Sequence, residues 1–242
     1  MLPIETALPA LKETLRTARA AVLEAPTGAG KTTLVPLALL NEPWVGAKKI
    51  LMLEPRRVAA RTAAARMADL LGEKAGETVG YRVRLDTKVG PKTRIEVVTE
   101  ALLTRRLQSD PELKGVACII FDEFHERSLN ADLGLALALE TQAALNEDLR
   151  ILVMSATLDG SRIAKLLGDA PIVRSEGRLF PIETRHAPPP ANARVEQHVA
   201  NIVLRALDET DGGLLVFLPG EGEIRTVERL LQAQDLHGAT LL

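Results

Sequence analysis

Short apolar runs alternate along the chain with longer segments in which apolar residues recur at helical spacing. The runs rich in Val, Ile, Leu and Met predict strands, and the segments between them predict helices. Predicted strands cover 21–24, 49–53, 79–83, 94–99, 116–121 and 150–155, and predicted helices cover 31–40, 58–71, 101–108, 130–145 and 161–167. Because strands that alternate with helices build parallel sheets covered on both faces, the expected fold class is α/β with a mainly parallel sheet.

The alternation breaks near residue 172. The segment 173–190 ends in Ala187-Pro-Pro-Pro190, which fits neither a helix nor a central strand. We therefore predict a first domain over 1–172, a linker over 173–190 and a second domain over 191–242. The pattern of the second domain predicts helices over 195–208 and 221–234 and a strand over 214–218. Three or four elements are too few to close a two-faced sheet, so we expect this domain to be incomplete.

The overall composition excludes several classes of protein. The 242 residues carry 30 Lys and Arg against 32 Asp and Glu, so no polybasic arm supplies nucleic-acid affinity. One cysteine and four scattered histidines offer no zinc-ligand spacing. No signal peptide or long apolar span is evident, so we expect a cytoplasmic protein with no membrane partner. Aromatic residues make up only 2%, which favours contacts with a nucleic-acid backbone over stacking on bases.

A glycine-rich segment, Ala25-Pro-Thr-Gly-Ala-Gly-Lys-Thr32, lies between a predicted strand and a predicted helix, the context that a phosphate-binding loop requires. Its glycines allow backbone N–H groups to converge on phosphate oxygens, and the helix N-terminus favours negative charge. Lys31 is expected to reach the β and γ phosphates of ATP, and the Thr32 hydroxyl to bind Mg²⁺. The alternative is a turn that only joins strand to helix. The predicted nucleotide-binding residues here are Thr27, Gly28, Ala29, Gly30, Lys31, Thr32 and Thr33.

Two adjacent acids, Asp122 and Glu123, follow the apolar run 116–121. Ligands of open α/β sheets bind at the carboxyl ends of strands, so both side chains are candidates for the nucleotide site. We expect Asp122 to bind Mg²⁺ and Glu123 to orient and deprotonate the attacking water. The alternative is a solvated turn at a strand end.

Six segments stand in a fixed order along the chain: the loop at 25–32, Leu-Glu-Pro-Arg-Arg-Val-Ala-Ala at 53–60, Val-Thr-Glu at 98–100, Asp-Glu-Phe-His-Glu-Arg-Ser at 122–128, Ser-Ala-Thr at 155–157 and the run 214–224. In this order they resemble the motifs of superfamily 2 helicases and specifically of the DEAH/RHA family. Between residues 23 and 224, the resemblance implies a RecA-like domain, part of a second RecA-like domain and the activity of an ATP-dependent RNA helicase. Phe124 stands where the family usually has Ala, so a ring must replace a methyl group behind the acidic pair.

The resemblance assigns chemical and coupling roles to five side chains. Glu123, Lys31 and His125 are implied to be catalytic. His125 and the hydroxyl groups of Ser155 and Thr157 are implied to couple the nucleotide to the nucleic acid. A lone histidine is otherwise more often a core residue with its hydrogen bonds satisfied, and that interpretation stays open for His125.

The resemblance also implies contacts with the nucleic acid and the base. Arg56, Arg57 and Thr99 are implied to bind the backbone of RNA, with DNA as an open alternative, and Arg66 to stack on adenine. Independently of the resemblance, guanidinium groups at a helix start suit phosphates and give register without base recognition. An exposed charged helix face is the alternative for these arginines.

The family's later motifs, which include arginine fingers that contact the γ phosphate, do not occur before residue 242. Loss of such a finger costs about 10³ to 10⁵ in turnover. We therefore expect an N-terminal fragment that binds nucleotide but hydrolyses it slowly. Two other functions remain open: a P-loop ATPase that drives a machine not acting on nucleic acid, and a nucleotide-gated RNA-binding module without catalysis.

Overall fold

The computed structural model describes residues 2–156, 160–176, 181–236 and 238–241. The chain divides into two compact units, Met1–Leu179 and Phe180–Leu242. The boundary between the units falls inside the 173–190 segment. Residues 173 and 174 of this segment still belong to a strand of the first unit, whereas residues 181–190 form neither helix nor strand. None of the described helices has both the length and the apolar character needed to cross a bilayer.

One sheet runs through the first unit. Its strands are β1 (Ala20–Glu24), β2 (Lys49–Leu53), β3 (Val79–Val83), β4 (Asp86–Lys88), β5 (Ile95–Val98), β6 (Val116–Phe121), β7 (Arg150–Ser155) and β8 (Ile172–Arg174). They lie in the order β4-β3-β5-β2-β6-β7-β1-β8, and every neighbouring pair is parallel except β3 and β4. The predicted α/β fold class with a mainly parallel sheet is confirmed.

Helices cover both faces of this sheet. Along β2, Ile50 and Met52 pack in one apolar cluster, whereas Leu51 and Leu53 pack in the other, because successive side chains point to opposite faces. The first cluster includes residues of α1, α2 and α3, and the second includes residues of α4, α5 and α6. These helices are α1 (Leu8–Thr17), α2 (Lys31–Leu39), α3 (Arg57–Leu70), α4 (Glu100–Ser109), α5 (Leu129–Ala144) and α6 (Gly160–Leu166).

One α-helix and two strands among the described residues of the first unit were not predicted. Helix α1 has an apolar signal, since Leu8, Leu11 and Leu15 recur at helical spacing and the last two are buried. Strands β4 and β8 are three residues long. β4 reads Asp-Thr-Lys and β8 reads Ile-Val-Arg, so neither carries an apolar run of more than two residues. Their strand conformation comes from backbone pairing with β3 and β1, which local sequence does not encode.

The second unit contains α7 (Val195–Glu209) and α8 (Glu221–Gln232), which agree with the two predicted helices. They pack through a small cluster that includes Ala200, Val203, Val227 and Leu231. The predicted strand over 214–218 is wrong: these residues have no strand assignment, and Phe217 is 87% exposed. A strand needs a neighbour for its backbone groups, and no described residue of this unit forms one.

The parallel arrangement brings five chain segments to one edge of the sheet. In the register of the strands, Glu24 lies beside Ser155, and Leu53 lies beside both Phe121 and Val98. The residues that follow β1, β7, β6, β2 and β5 therefore emerge at neighbouring carboxyl ends. This edge is the position at which open α/β sheets bind ligands.

Candidate functional site

The glycine-rich loop after β1 has the backbone conformation of a phosphate-binding loop. Gly28 and Gly30 both have positive φ angles, of 77° and 92°, which residues with a Cβ rarely adopt. Helix α2 starts directly after Gly30, so its free N–H groups face the loop. The backbone N–H of Ile4 donates a 3.2 Å hydrogen bond to the carbonyl of Ala29. The loop is thus held from outside by the N-terminal segment.

Lys31 and Thr32 both contact the acidic pair at the end of β6. The Lys31 Nζ lies 2.8 Å from Oε1 of Glu123, and the Lys31 side chain is buried. The Thr32 hydroxyl donates a 2.5 Å hydrogen bond to Oδ2 of Asp122. The structure therefore brings two predicted site residues of the glycine-rich loop into contact with the two predicted acids, which lie about 90 positions further along the chain.

The environment of Asp122 fits a magnesium ion. Burial is the main cause that raises the pKa of its carboxyl group to about 6, and the hydrogen bond from Thr32 opposes this rise. A buried carboxylate beside a hydroxyl group supplies hard oxygen ligands. Among the described residues, no cluster of three or more His, Cys, Asp or Glu side chains could hold a metal alone. This limited ligand set suits Mg²⁺, which keeps several waters and shares phosphate oxygens.

Glu123 and His125 link the acidic pair to the end of β7. Glu123 has the left-handed backbone conformation with φ 48°, which is uncommon for a residue with a side chain. The His125 Nδ1 lies 3.3 Å from Oε2 of Glu123 and accepts a 3.3 Å hydrogen bond from the N–H of Ala156. An accepting nitrogen carries no proton, so the contact with Glu123 is not an ion pair in this tautomer. Ser155 is buried, and Thr157 lies outside the described residues.

The packing around Phe124 accounts for the ring at this position. Phe124 is buried, and its ring meets that of Phe121 edge to face, with 6.0 Å between centroids and 85° between planes. The guanidinium group of Arg127 lies 5.5 Å from the centroid of the Phe124 ring. The ring therefore fills the space behind the acidic pair and is anchored on the strand that carries it.

Glu54, which the sequence analysis did not single out as a site residue, faces the same site. It follows β2 directly, and its side chain is 4% exposed. Burial raises the pKa of its carboxyl group to about 8, with further contributions from Asp122, Glu123 and Glu126. A pocket of about 320 Å³ brings Glu54 together with four predicted nucleotide-binding residues: Thr32, Thr33, Arg66 and Glu123. Its position in a resembled motif was visible in the sequence, but its burial among acids was not.

Replacing Glu54 by glutamine should make the stability less dependent on pH. An acid whose pKa rises from 4.5 to about 8 on folding stabilises the folded chain below pH 4.5, and this contribution is lost as the pH rises through 8. Relative to the wild type, Glu54→Gln should have a free energy of unfolding higher by about 3 kcal/mol at pH 7 and nearly equal at about pH 4. Urea unfolding at both pH values measures this difference. A constant difference would contradict the assigned environment of Glu54.

The predicted nucleic-acid residues follow two neighbouring strands. Arg56 and Arg57 lie at the start of α3 after β2, and Thr99 lies at the start of α4 after β5. Arg57 is exposed, whereas the guanidinium group of Arg56 forms a 2.8 Å ion pair with Glu126. This pair connects the helix start to the turn that contains His125. All three predicted residues thus lie at the same edge of the sheet as the acidic pair.

Glu24, the last residue of β1, ties the loop strand to the segment after β7. Its carboxylate accepts a 2.9 Å hydrogen bond from the N–H of Gly160 and a 2.6 Å hydrogen bond from Nε of Arg174. A Cβ atom at position 160 would lie 2.3 Å from Oε1 of Glu24, so any other residue there would displace the Glu24 carboxylate from this position. The start of α6 is therefore fixed against the strand that precedes the glycine-rich loop.

The chain matches the family model described as DEAD/DEAH box helicase over residues 5–166. It is 53% identical over 233 residues to the ATP-dependent RNA helicase HrpB of Escherichia coli K12, a match that covers 96% of this chain. It is also 36% identical over 225 residues, 91% of this chain, to an ATP-dependent RNA helicase HrpA homolog of Haemophilus influenzae. The matches span 29% of the length of the first relative and 17% of the second.

Solved structures show the same similarity in three dimensions. A crystal structure of the Escherichia coli DEAH/RHA helicase HrpB matches with a TM-score of 0.90 and 53% identity. The match covers 96% of this chain and 30% of that one. A second crystal structure, of the Escherichia coli DExH-box NTPase HrpB, matches with a TM-score of 0.79 and covers 96% of this chain and 29% of that one.

Proposed function

The chain belongs to the DEAD/DEAH box helicase family, and on that premise we propose that it is the ATP-binding part of a cytoplasmic ATP-dependent RNA helicase. The observation that carries the proposal is the meeting of Lys31 and Thr32 with Asp122 and Glu123 at one edge of the sheet. We also propose the domain boundaries of the sequence analysis: a RecA-like domain over 1–172, a linker over 173–190 and the start of a second RecA-like domain over 191–242. The last strand of the first domain extends two residues into the linker segment and ends at Arg174.

The glycine-rich loop binds the phosphates of ATP in this proposal. Backbone N–H groups from Thr27 to Thr33 surround the phosphates, and the start of α2 adds its positive dipole end. Lys31 leaves its 2.8 Å ion pair with Glu123 when a phosphate enters, because its ammonium group then has a doubly charged partner. Arg66, which lines the same pocket as Thr32 and Glu123, stacks on the adenine.

Thr32 and Asp122 hold the magnesium ion. When bound, Mg²⁺ neutralises phosphate charge and so lowers the cost of the charge that develops during hydrolysis. The 2.5 Å bond between Thr32 and Asp122 keeps both oxygens close before the ion arrives. Glu123, released from Lys31, accepts a proton from the attacking water.

His125 transmits the state of Glu123 to the loop after β7. Its Nδ1 contacts Glu123 and accepts a hydrogen bond from Ala156, so a movement of the Glu123 carboxylate changes the hydrogen bond that holds Ala156. Ser155 and Thr157 belong to that segment and act in coupling. Through these contacts, nucleotide hydrolysis is coupled to the conformation of the rest of the enzyme.

Arg56, Arg57 and Thr99 bind the RNA backbone. Guanidinium groups at a helix start match phosphate geometry, and contacts of this kind carry no base specificity. The Arg56 pair with Glu126 is exposed and therefore weak, so a phosphate can compete for the guanidinium group. Single-stranded DNA offers the same phosphates and remains an alternative ligand.

Replacing both arginines should test the RNA-binding part of the proposal. Arg56→Ala combined with Arg57→Ala should weaken binding of single-stranded RNA at least about tenfold for every sequence tested. The slope of the logarithm of RNA affinity against the logarithm of salt concentration should become shallower by about 1.4, because two phosphate contacts are lost. Fluorescence anisotropy with labelled oligonucleotides over a range of salt concentrations measures both quantities. Loss confined to particular sequences would indicate base recognition instead.

A matched control removes two positive charges from the opposite edge of the sheet. Lys92 and Lys114 are exposed and precede β5 and β6 at their amino ends, so Lys92→Ala combined with Lys114→Ala should leave RNA affinity nearly unchanged. If the wild-type chain binds nucleotide but no RNA, the rival function of an ATPase for another kind of machine gains support.

A further inference from the structure

Glu54 differs from the other buried glutamates of the described residues in having no partner. Glu24 pairs with Arg174, Glu42 with Arg16 and Lys12, and Glu96 with Arg82, Lys49 and Arg106. Glu54 is equally buried, yet no described side chain or N–H group donates a hydrogen bond to its carboxyl group. A buried acid without a hydrogen-bond partner lowers the stability of the fold, so packing alone does not explain a glutamate at this position.

The neighbours of Glu54 identify which end of the pocket it faces. Its carboxyl group lies within electrostatic reach of the acidic pair and of Lys31 and Glu126. It also lines the same pocket as Thr32. Glu54 therefore lies near the acidic pair and Thr32, the residues that hold the magnesium ion in the proposed function.

The backbone fixes this orientation. The N–H of Glu54 donates a 2.9 Å hydrogen bond to Val98, and the N–H of Asp122 donates a 3.0 Å hydrogen bond to Leu53. Glu54 and Asp122 thus leave adjacent strands at the same level. Two carboxyl groups on neighbouring strand ends are placed to face one cation.

We propose that Glu54 is a positioning residue for the magnesium–nucleotide complex, whose carboxyl group hydrogen-bonds a water of the Mg²⁺ shell beside Asp122. The inference rests on the proposed function. Mg²⁺ keeps several of its waters in proteins, and these waters need acceptors. Outer-shell partners of this kind typically account for 10-fold to 100-fold in metal affinity. A strained or costly group at a site is also a recurrent feature of functional residues.

The test distinguishes an effect of Glu54 on magnesium binding from an effect on nucleotide binding. Equilibrium titration of the 242-residue chain with a fluorescent ADP analogue, in MgCl₂ and in EDTA, gives the factor by which Mg²⁺ raises affinity. Glu54→Ala should lower this factor about tenfold to a hundredfold while changing the affinity in EDTA less than about twofold. Glu54→Gln keeps an accepting oxygen and should restore the factor to within about threefold. Glu54→Met, which fills the space without a polar group, should behave as Glu54→Ala and serves if the smaller residue unfolds the chain.

Glu96→Gln is the matched control, since Glu96 is also a buried strand glutamate but has its cationic partners outside the pocket. It should leave the magnesium factor unchanged. An unchanged factor in Glu54→Ala and Glu54→Met would overturn this inference and leave the proposed function intact. Equal loss with and without Mg²⁺ would also overturn it, because Glu54 would then contact the nucleotide itself. Absence of nucleotide binding by the wild type would instead overturn the proposed function.

Discussion

Lys31→Ala should bind ATP about a thousandfold more weakly than the wild type. The Lys31 ammonium group is buried and lies 2.8 Å from Glu123, at the start of the helix that faces the glycine-rich loop. A charge about 4 Å from a phosphate in a partly screened site contributes about 4 kcal/mol, which corresponds to about a factor of 10³. Titration with a fluorescent, non-hydrolysable ATP analogue measures the loss.

Two further variants show whether the loss of ATP affinity is specific to the phosphate-binding loop. Lys12→Ala removes a half-buried ammonium group that pairs with Glu42, and it should keep the wild-type affinity. Lys31→Arg keeps the charge but changes its shape, and it should fall between the wild type and Lys31→Ala. Wild-type affinity in Lys31→Ala would refute the assignment of the phosphate-binding loop.

Phe124→Ala should lower the free energy of unfolding of the first unit by about 4 kcal/mol, although it introduces the alanine that DEAH/RHA helicases usually have at this position. The ring is buried, packs edge to face on Phe121 and carries the guanidinium group of Arg127 above it. Truncation of a buried Phe to Ala removes apolar burial and leaves a cavity, at a typical cost of 3 to 5 kcal/mol. Urea unfolding followed by far-UV circular dichroism measures the change.

The chain offers a matched control for this variant. Phe217 is 87% exposed, so Phe217→Ala should change the free energy of unfolding by less than about 0.5 kcal/mol. Phe124→Leu retains most of the volume and should cost only about 1 kcal/mol. If Phe124→Ala matched the stability of the wild type, the space behind the acidic pair would have to collapse around the missing ring.

Local pattern was sufficient for most elements of the first unit. The strands at 49–53, 79–83, 116–121 and 150–155 have the predicted bounds. All except 79–83, in which Arg82 is exposed, are short apolar runs buried along nearly their whole length. The helix over 58–71 was predicted to within one residue at each end. The pattern gave the wrong prediction where an element depends on its neighbours in space. β4 and β8 are strands because they pair with β3 and β1, and the apolar run 214–218 is not a strand because no described strand pairs with it.

The sequence by itself determined the fold class, the glycine-rich loop, the acidic pair and the order of the motifs, because periodicity, turn residues and short spacings are local properties of the chain. Only the tertiary structure decided which strand ends are neighbours. Strand β2 lies beside β6, although about 60 residues separate them, and this adjacency brings Glu54 to the acidic pair. The burial, the raised pKa and the missing partner of Glu54 all follow from that adjacency, and no local pattern encodes it.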